Sequence, residues 1–225
     1  MKKLTLQEKQ HTADALLRRI NALHKPGETV RLMEVCGTHT VSIFREGLRQ
    51  LLPSGIELVS GPGCPVCVTD QTYMDKALAY AEREDVIIAT FGDMLKVPGS
   101  YSSLNEAQTK GAHIHVIYTP LEVIELSKKY PEKKILFLAI GFETTIAIIC
   151  ATVKAVHAAG LKNVFFLVSH KLVPPALRAL LDKQEGHIDG FILPGHVSVI
   201  IGEEPYRFLP KEYGIPSCIA GFDGL

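Results

Sequence analysis

What this chain lacks narrows its function before any motif is read. It has no uninterrupted run of about 20 apolar residues, the length a helix needs to cross a bilayer. Its opening Met-Lys-Lys-Leu-Thr-Leu-Gln-Glu-Lys-Gln has no apolar stretch behind the charged start. The expectation is a protein that is neither secreted nor membrane-spanning. It has no excess of charge, since 24 Lys and Arg balance 24 Asp and Glu. No positive field is available to neutralise phosphates, so nucleic acid is not an expected partner, and a protein or small molecule fits better. It has no even set of cysteines: the five include one C-x-x-C pair, unlike the framework of a secreted disulfide scaffold, and point to a reducing cytoplasm. Finally, Gly141-Phe-Glu-Thr-Thr145 has neither the Gly-x-x-x-x-Gly-Lys pattern nor the Gly-x-Gly-x-x-Gly fingerprint, so nucleotide binding is not indicated.

What is present is an ordinary globular balance, 47% hydrophobic and 21% charged, with enough apolar material to bury a core. A length of 225 residues allows one large domain or two small ones. Ala13, Leu16, Leu17, Ile20 and Leu23 recur at helical spacing and mark an amphipathic helix ending near Pro26-Gly27. Short apolar runs suited to buried strands then follow at 30–35, 56–60, 85–90, 113–118, 134–140, 163–168, 189–193 and 216–220, with helix-like segments between them, such as 144–159 and 173–182. Alternating strand and helix means parallel sheets covered on both faces.

The fold class is therefore α/β, read as two similar parallel-sheet halves facing a common cleft. Residues 1–120 would form one half and 121–225 the other, joined between Tyr118 and Lys133 where Thr119-Pro120 and Tyr130-Pro131 interrupt the pattern. Ser103 and Glu106 have the spacing of a capping box. The unusual segments all follow strands: Cys36-Gly-Thr-His-Thr40, Gly61-Pro-Gly-Cys-Pro-Val-Cys67, Phe91-Gly-Asp-Met94, Gly141-Phe-Glu-Thr-Thr145, Ser169-His-Lys171 and Pro194-Gly-His-Val-Ser198. Ligands of parallel sheets bind beyond the carboxyl ends of the strands, so six such loops can converge on one site.

Cys64 and Cys67 precede a helix expected to begin near Asp70, whose positive end favours thiolate over thiol. Such a pair can cycle between dithiol and disulfide or bind a soft metal; two small residues buried at a turn is the plainer alternative. Cys36 precedes Gly37, which lets backbone or ligand approach closely, with His39 three residues on. A lone C-x-x-H is weak by itself, and a buried Cys beside a hydrogen-bonded His would explain it equally well. Glu143 and Asp93 stand at strand ends where a carboxylate can orient a metal-bound group, accept a proton or cap a helix. His170 and His196 rank behind them, and Cys150 and Cys218 read as core residues.

Taken together, CGTHT at 36–40, GPGCPVC at 61–67, FGDM at 91–94, GFETT at 141–145, HKLVPPA at 170–176 and PGHVSVIIG at 194–202 closely resemble the HypD family of NiFe-hydrogenase maturation proteins, over nearly the whole chain. The resemblance implies a scaffold on which an Fe(CN)2CO unit is built, with a HypC-type chaperone and a HypE-type cyanide donor as partners. It implies Cys36 as an iron ligand, His39, Thr40 and Glu143 lining the site, and Cys64 and Cys67 as a redox-active dithiol. A metal-cofactor assembly scaffold of this kind is not a conventional turnover enzyme. The family usually continues past the Ala220-Gly-Phe222 segment into a region with four cysteines for a 4Fe-4S cluster, whereas this sequence stops at Asp223-Gly-Leu225. The cluster is therefore expected to be absent, the sequence being a piece of a longer chain or a shortened relative. Two other functions remain open on the residues alone. Cys36, His39, Cys64 and Cys67 could form a structural Cys₃His zinc site, or Cys64 and Cys67 could serve a plain thiol-disulfide oxidoreductase.

Overall fold

The computed structural model describes residues 5–183 and 186–222. The chain begins with helix α1 (Leu6–Leu23), closed by a reciprocal capping box: the Thr5 hydroxyl accepts from the Glu8 N–H and the Glu8 carboxylate accepts from the Thr5 N–H at 2.7 Å. Strand and helix then alternate as β1 (Val30–Glu34), α2 (Gly37–Arg45), the short α3 (Leu48–Leu51), β2 (Ile56–Ser60), α4 (Gln71–Ala81), β3 (Val86–Thr90), α5 (Leu104–Thr109), β4 (Ile114–Val116) and α6 (Glu122–Lys129). The remainder is β5 (Lys134–Gly141), α7 (Glu143–Ala158), β6 (Val164–His170), α8 (Val173–Asp182), β7 (Gly190–Pro194), α9 (Gly195–Ile201), α10 (Phe208–Glu212) and β8 (Ser217–Ala220). Every strand falls close to its expected range. The 113–118 run shrinks most, to the three residues Ile114–Val116.

The strands make two four-stranded sheets, ordered β2-β1-β7-β8 and β4-β3-β5-β6, with parallel pairing throughout. The two parallel α/β halves expected from the sequence are present, but the division at residue 120 is not where they part. One unit contains residues up to Cys64 together with those from Pro174 onward, and the other is the intervening Pro65–Val173. Local periodicity locates a strand without naming its neighbour, and here β7 returns to pair with β1, with Met33 opposite Phe191. The second unit is thus an insertion in the first.

The inserted unit owes its core to two-sided burial. Ile88, Leu136 and Leu138 pack against Leu78 and Leu104 of α4 and α5 on one face, while Ile87, Phe137 and Ala139 pack with Ile149 and Val156 of α7 on the other. In the discontinuous unit, Met33, Leu58, Phe191 and Leu193 of the strands and Val35 just after β1 are buried apolar residues. Cys150 and Cys218 are both exposed, against their expected place in the core. Helix α7 is apolar on most sides, so its sequence could not show that Ile149, Thr152 and Val156 form the inward face, and β8 is an edge strand. The capping box at Ser103 is only half made: Ser103 accepts from the Glu106 N–H at 3.3 Å, but the Glu106 carboxylate accepts from Ser102 instead. Among the described residues, no helix is long and apolar enough to cross a membrane.

Candidate functional site

In the discontinuous unit, the carboxyl edge of the sheet collects the loops after β1, β2, β7 and β8. Cys36 follows β1 and caps α2 with φ +107° and ψ 128°, the only non-glycine residue at positive φ among those described. A β-carbon makes that conformation costly, of order 1–3 kcal/mol, and such strain persists only where the surroundings impose it. The loop after β2 is part of what imposes it. Gly63 lies so close that a β-carbon there would come within 2.4 Å of the Gly37 nitrogen and 2.9 Å of the Cys36 carbonyl carbon. Only glycine allows this approach. The Cys36 and Cys64 loops are thereby packed on each other, both thiols free and half-buried.

His39 is 4% exposed, and both of its ring nitrogens lie against backbone carbonyls. Its Nδ1 lies 3.0 Å from the Val35 carbonyl oxygen and its Nε2 3.0 Å from that of Gly221. His39 therefore ties α2 to the segment leaving β8, a bond reinforced by the Ser42 hydroxyl donating to the Phe222 carbonyl at 2.5 Å. The Phe222 ring sits between His39 and His196, with centroids 4.8 and 5.1 Å away. Partial burial pulls the His196 imidazole below its ordinary pKa, and nearby His39 adds to the effect. Thr40 also faces inward, its hydroxyl 3.4 Å from Glu34 Oε1.

Glu34 was missed from sequence. It is 0% exposed, and its Oε1 accepts from Ser60 at 2.9 Å and from Arg49 at 3.2 Å, while Oε2 has no hydrogen-bond partner. The available signal was a carboxylate at the carboxyl end of β1, directly before the Cys36 loop.

Cys67, Glu143 and His170 belong to the inserted unit. Cys67 is exposed, and beyond it Thr69 donates to the Pro65 carbonyl at 2.7 Å and lies 3.4 Å from the Ser169 hydroxyl. Helix α4 begins at the expected place with Asp70 as its cap, accepting from the Thr72 N–H at 2.8 Å; hydrogen bonding by the Thr72 side chain, and then by that N–H, holds the Asp70 carboxyl below the usual range. Glu143 is 5% exposed; Oε1 accepts from the Val173 N–H at 2.7 Å, and Oε2 has no hydrogen-bond partner. His170 pairs in register with Gly141 at the end of β6, its Nε2 buried and unpartnered, and burial lowers its pKa so that the neutral ring is favoured. Asp93 is exposed in a 3₁₀ turn and caps nothing, since Phe91 holds the capping position. Among the described residues, no three His, Cys, Asp or Glu side chains are grouped to hold a metal ion, so the four donors of the zinc reading are not assembled.

The fold and this edge define a class: a parallel α/β protein of two sheets, with a strained cysteine held against a second thiol loop. Comparison with known proteins makes it specific. The profile described as HypD, hydrogenase formation hypA family, matches residues 11–225, and the chain belongs to that family. It is 45% identical over 194 residues to the hydrogenase maturation factor HypD of Rhodobacter capsulatus, covering 86% of this chain and 52% of that protein. It is 40% identical over 196 residues to the hydrogenase maturation factor HypD of Escherichia coli (strain K12), covering 87% and 52%. It is 43% identical over 220 residues to that of Azotobacter vinelandii, covering 95% and 58%. The chain spans about half the length of the curated relatives it matches.

Proposed function

We propose that this chain acts in cytoplasmic NiFe-hydrogenase maturation as the scaffold on which an Fe(CN)2CO unit is built, with Cys36 binding the iron and Cys64 and Cys67 as its redox pair. The observation that carries the reading is the strained Cys36 backbone at +107°, held by the Cys64 loop. Strain of this kind gathers where a reactive group must be aimed. A thiolate is a soft ligand suited to low-valent iron, and a second thiolate from a HypC-type chaperone would complete the soft pair.

Iron is the cargo, and the chain's own thiols supply the electrons. When a HypE-type donor passes cyanide from a protein thiocyanate, the S–CN bond breaks, the donor sulfur leaves as a thiol and the carbon leaves as cyanide. That step consumes two electrons. Closing Cys64 and Cys67 to a disulfide releases two electrons and two protons, one of which goes to the departing thiolate. Returning the disulfide to dithiol needs a further reductant, a role that a 4Fe-4S cluster could fill. Glu143, with one oxygen fixed and the other unpartnered, is assigned to proton handling during transfer.

Iron and zinc per chain, measured in anaerobically purified protein, test this. Iron lost in Cys36→Ala but kept in Cys64→Ala and Cys67→Ala is the expected result. Stoichiometric zinc lost in all three variants would overturn it.

A further inference from the structure

Glu34 lies outside the six motifs, yet it joins both thiol loops of its unit. Its carboxylate is fully buried at the end of β1. Through Oε1 it accepts from Thr40, on the helix that Cys36 begins, from Ser60, which ends β2 just before the Cys64 loop, and from Arg49 of α3. Its backbone carbonyl accepts from the Gly61 N–H at 2.8 Å, at the start of the same loop. One residue thus holds α2, α3 and the Gly61–Cys64 segment by separate bonds.

Stability alone does not explain a carboxylate here. Desolvating a charge is costly, one oxygen is left unpaired, and an apolar side chain of similar volume often serves a buried position as well or better. What an apolar residue cannot do is fix three elements by directional bonds. We propose that Glu34 is a positioning residue that sets the separation of the Cys36 and Cys64 thiols, its carboxylate acting through Thr40, Ser60 and Arg49 without touching the cargo. The proposal rests on the reading that these thiols work at one site. Its test reads only the distance between them.

The test uses the full chain with Cys67→Ser, Cys150→Ser and Cys218→Ser, leaving Cys36 and Cys64 as the only thiols. Dibromobimane becomes fluorescent when it bridges two thiols a few ångströms apart, and monobromobimane labels each thiol singly as the reference. Glu34→Ala is expected to slow bridging relative to single labelling by on the order of tenfold, below the roughly 100-fold that a misplacement of about 1 Å can cost in two-group reactions. Glu34→Gln keeps an acceptor oxygen for the three donors and is expected to restore most of the rate. Should Glu34→Ala fail to fold by circular dichroism, the Thr40→Val/Ser60→Ala double variant removes two of the bonds from their far ends and should slow bridging in the same direction. Unchanged bridging in the folded variant, or a parent protein that does not bridge at all, overturns the proposal. A parent that bridges normally but carries no iron overturns the scaffold function instead and leaves the role of Glu34 standing.

Discussion

The two sheets have equal strand numbers and the same parallel sense, but they spend their residues differently. In the inserted unit β3 is buried at every position and β5 from Ile135 to Gly141, so the sheet is apolar on both faces. In the discontinuous unit β2 buries only Leu58 fully, and β8 exposes Ser217, Cys218 and Ile219. That weaker sheet nevertheless carries the strained Cys36, the close approach at Gly63 and the buried Glu34. Stability is therefore expected to be uneven, with the strained Cys36 loop on the less stable unit, as local stability commonly varies across a structure.

Core truncation should break this contrast most visibly. Leu138→Ala, at a fully buried position of β5, is expected to cost about 2–5 kcal/mol, whereas Ile219→Ala on β8 should cost less than about 1 kcal/mol. Urea unfolding with hydrogen exchange resolved by unit measures both. Equal losses would mean that the edge strand contributes as much as the two-sided core.

Next in size is the backbone strain at Cys36. Glycine adopts a φ of +107° freely, so Cys36→Gly should be more stable than Cys36→Ala by about 1–3 kcal/mol, although both lack the thiol. Equal stability of the two variants would show that the turn is not strained.

The smallest effect is a pH dependence. Burial lowers the folded-state pKa of His170 below the ordinary value of 6.5, so the unfolded chain binds the proton more readily. Stability from this group is present above about pH 6.5 and is lost as pH falls. His170→Gln should flatten the slope of stability against pH between 7.5 and 5, a change read in urea titrations at each pH. His196 shifts the same way in the other unit, so His196→Gln is the matching control.

Much of the fold could be read in the sequence because each strand is a short apolar run and each helix has a periodic face. The 173–182 helix was found at the bounds of α8, and Asp70 was placed at the start of α4. Strand order was not legible, since the pairing of β7 with β1 is a relation between distant segments that neither segment records. At the site, glycines and cysteines announced the loops, but the burial of Glu34 was concealed, because a charged residue at a strand end gives no sign of whether it faces solvent or the interior. The orientation of His39 was hidden too, because its partners are backbone carbonyls that carry no residue signature.

The insertion of one unit within the other also sets an order of events during synthesis. Residues 65–173 emerge from the ribosome as an uninterrupted stretch with all four strands of their sheet, so that unit can close as soon as it is made. Cys36 and Cys64 are made earlier but must wait for β7 and β8 to complete their sheet. Their joining depends on contacts of long sequence separation, the slow kind. The thiols thus spend the nascent phase in an incomplete fold, and the sheet that carries their loops closes only once β7 and β8 have been made.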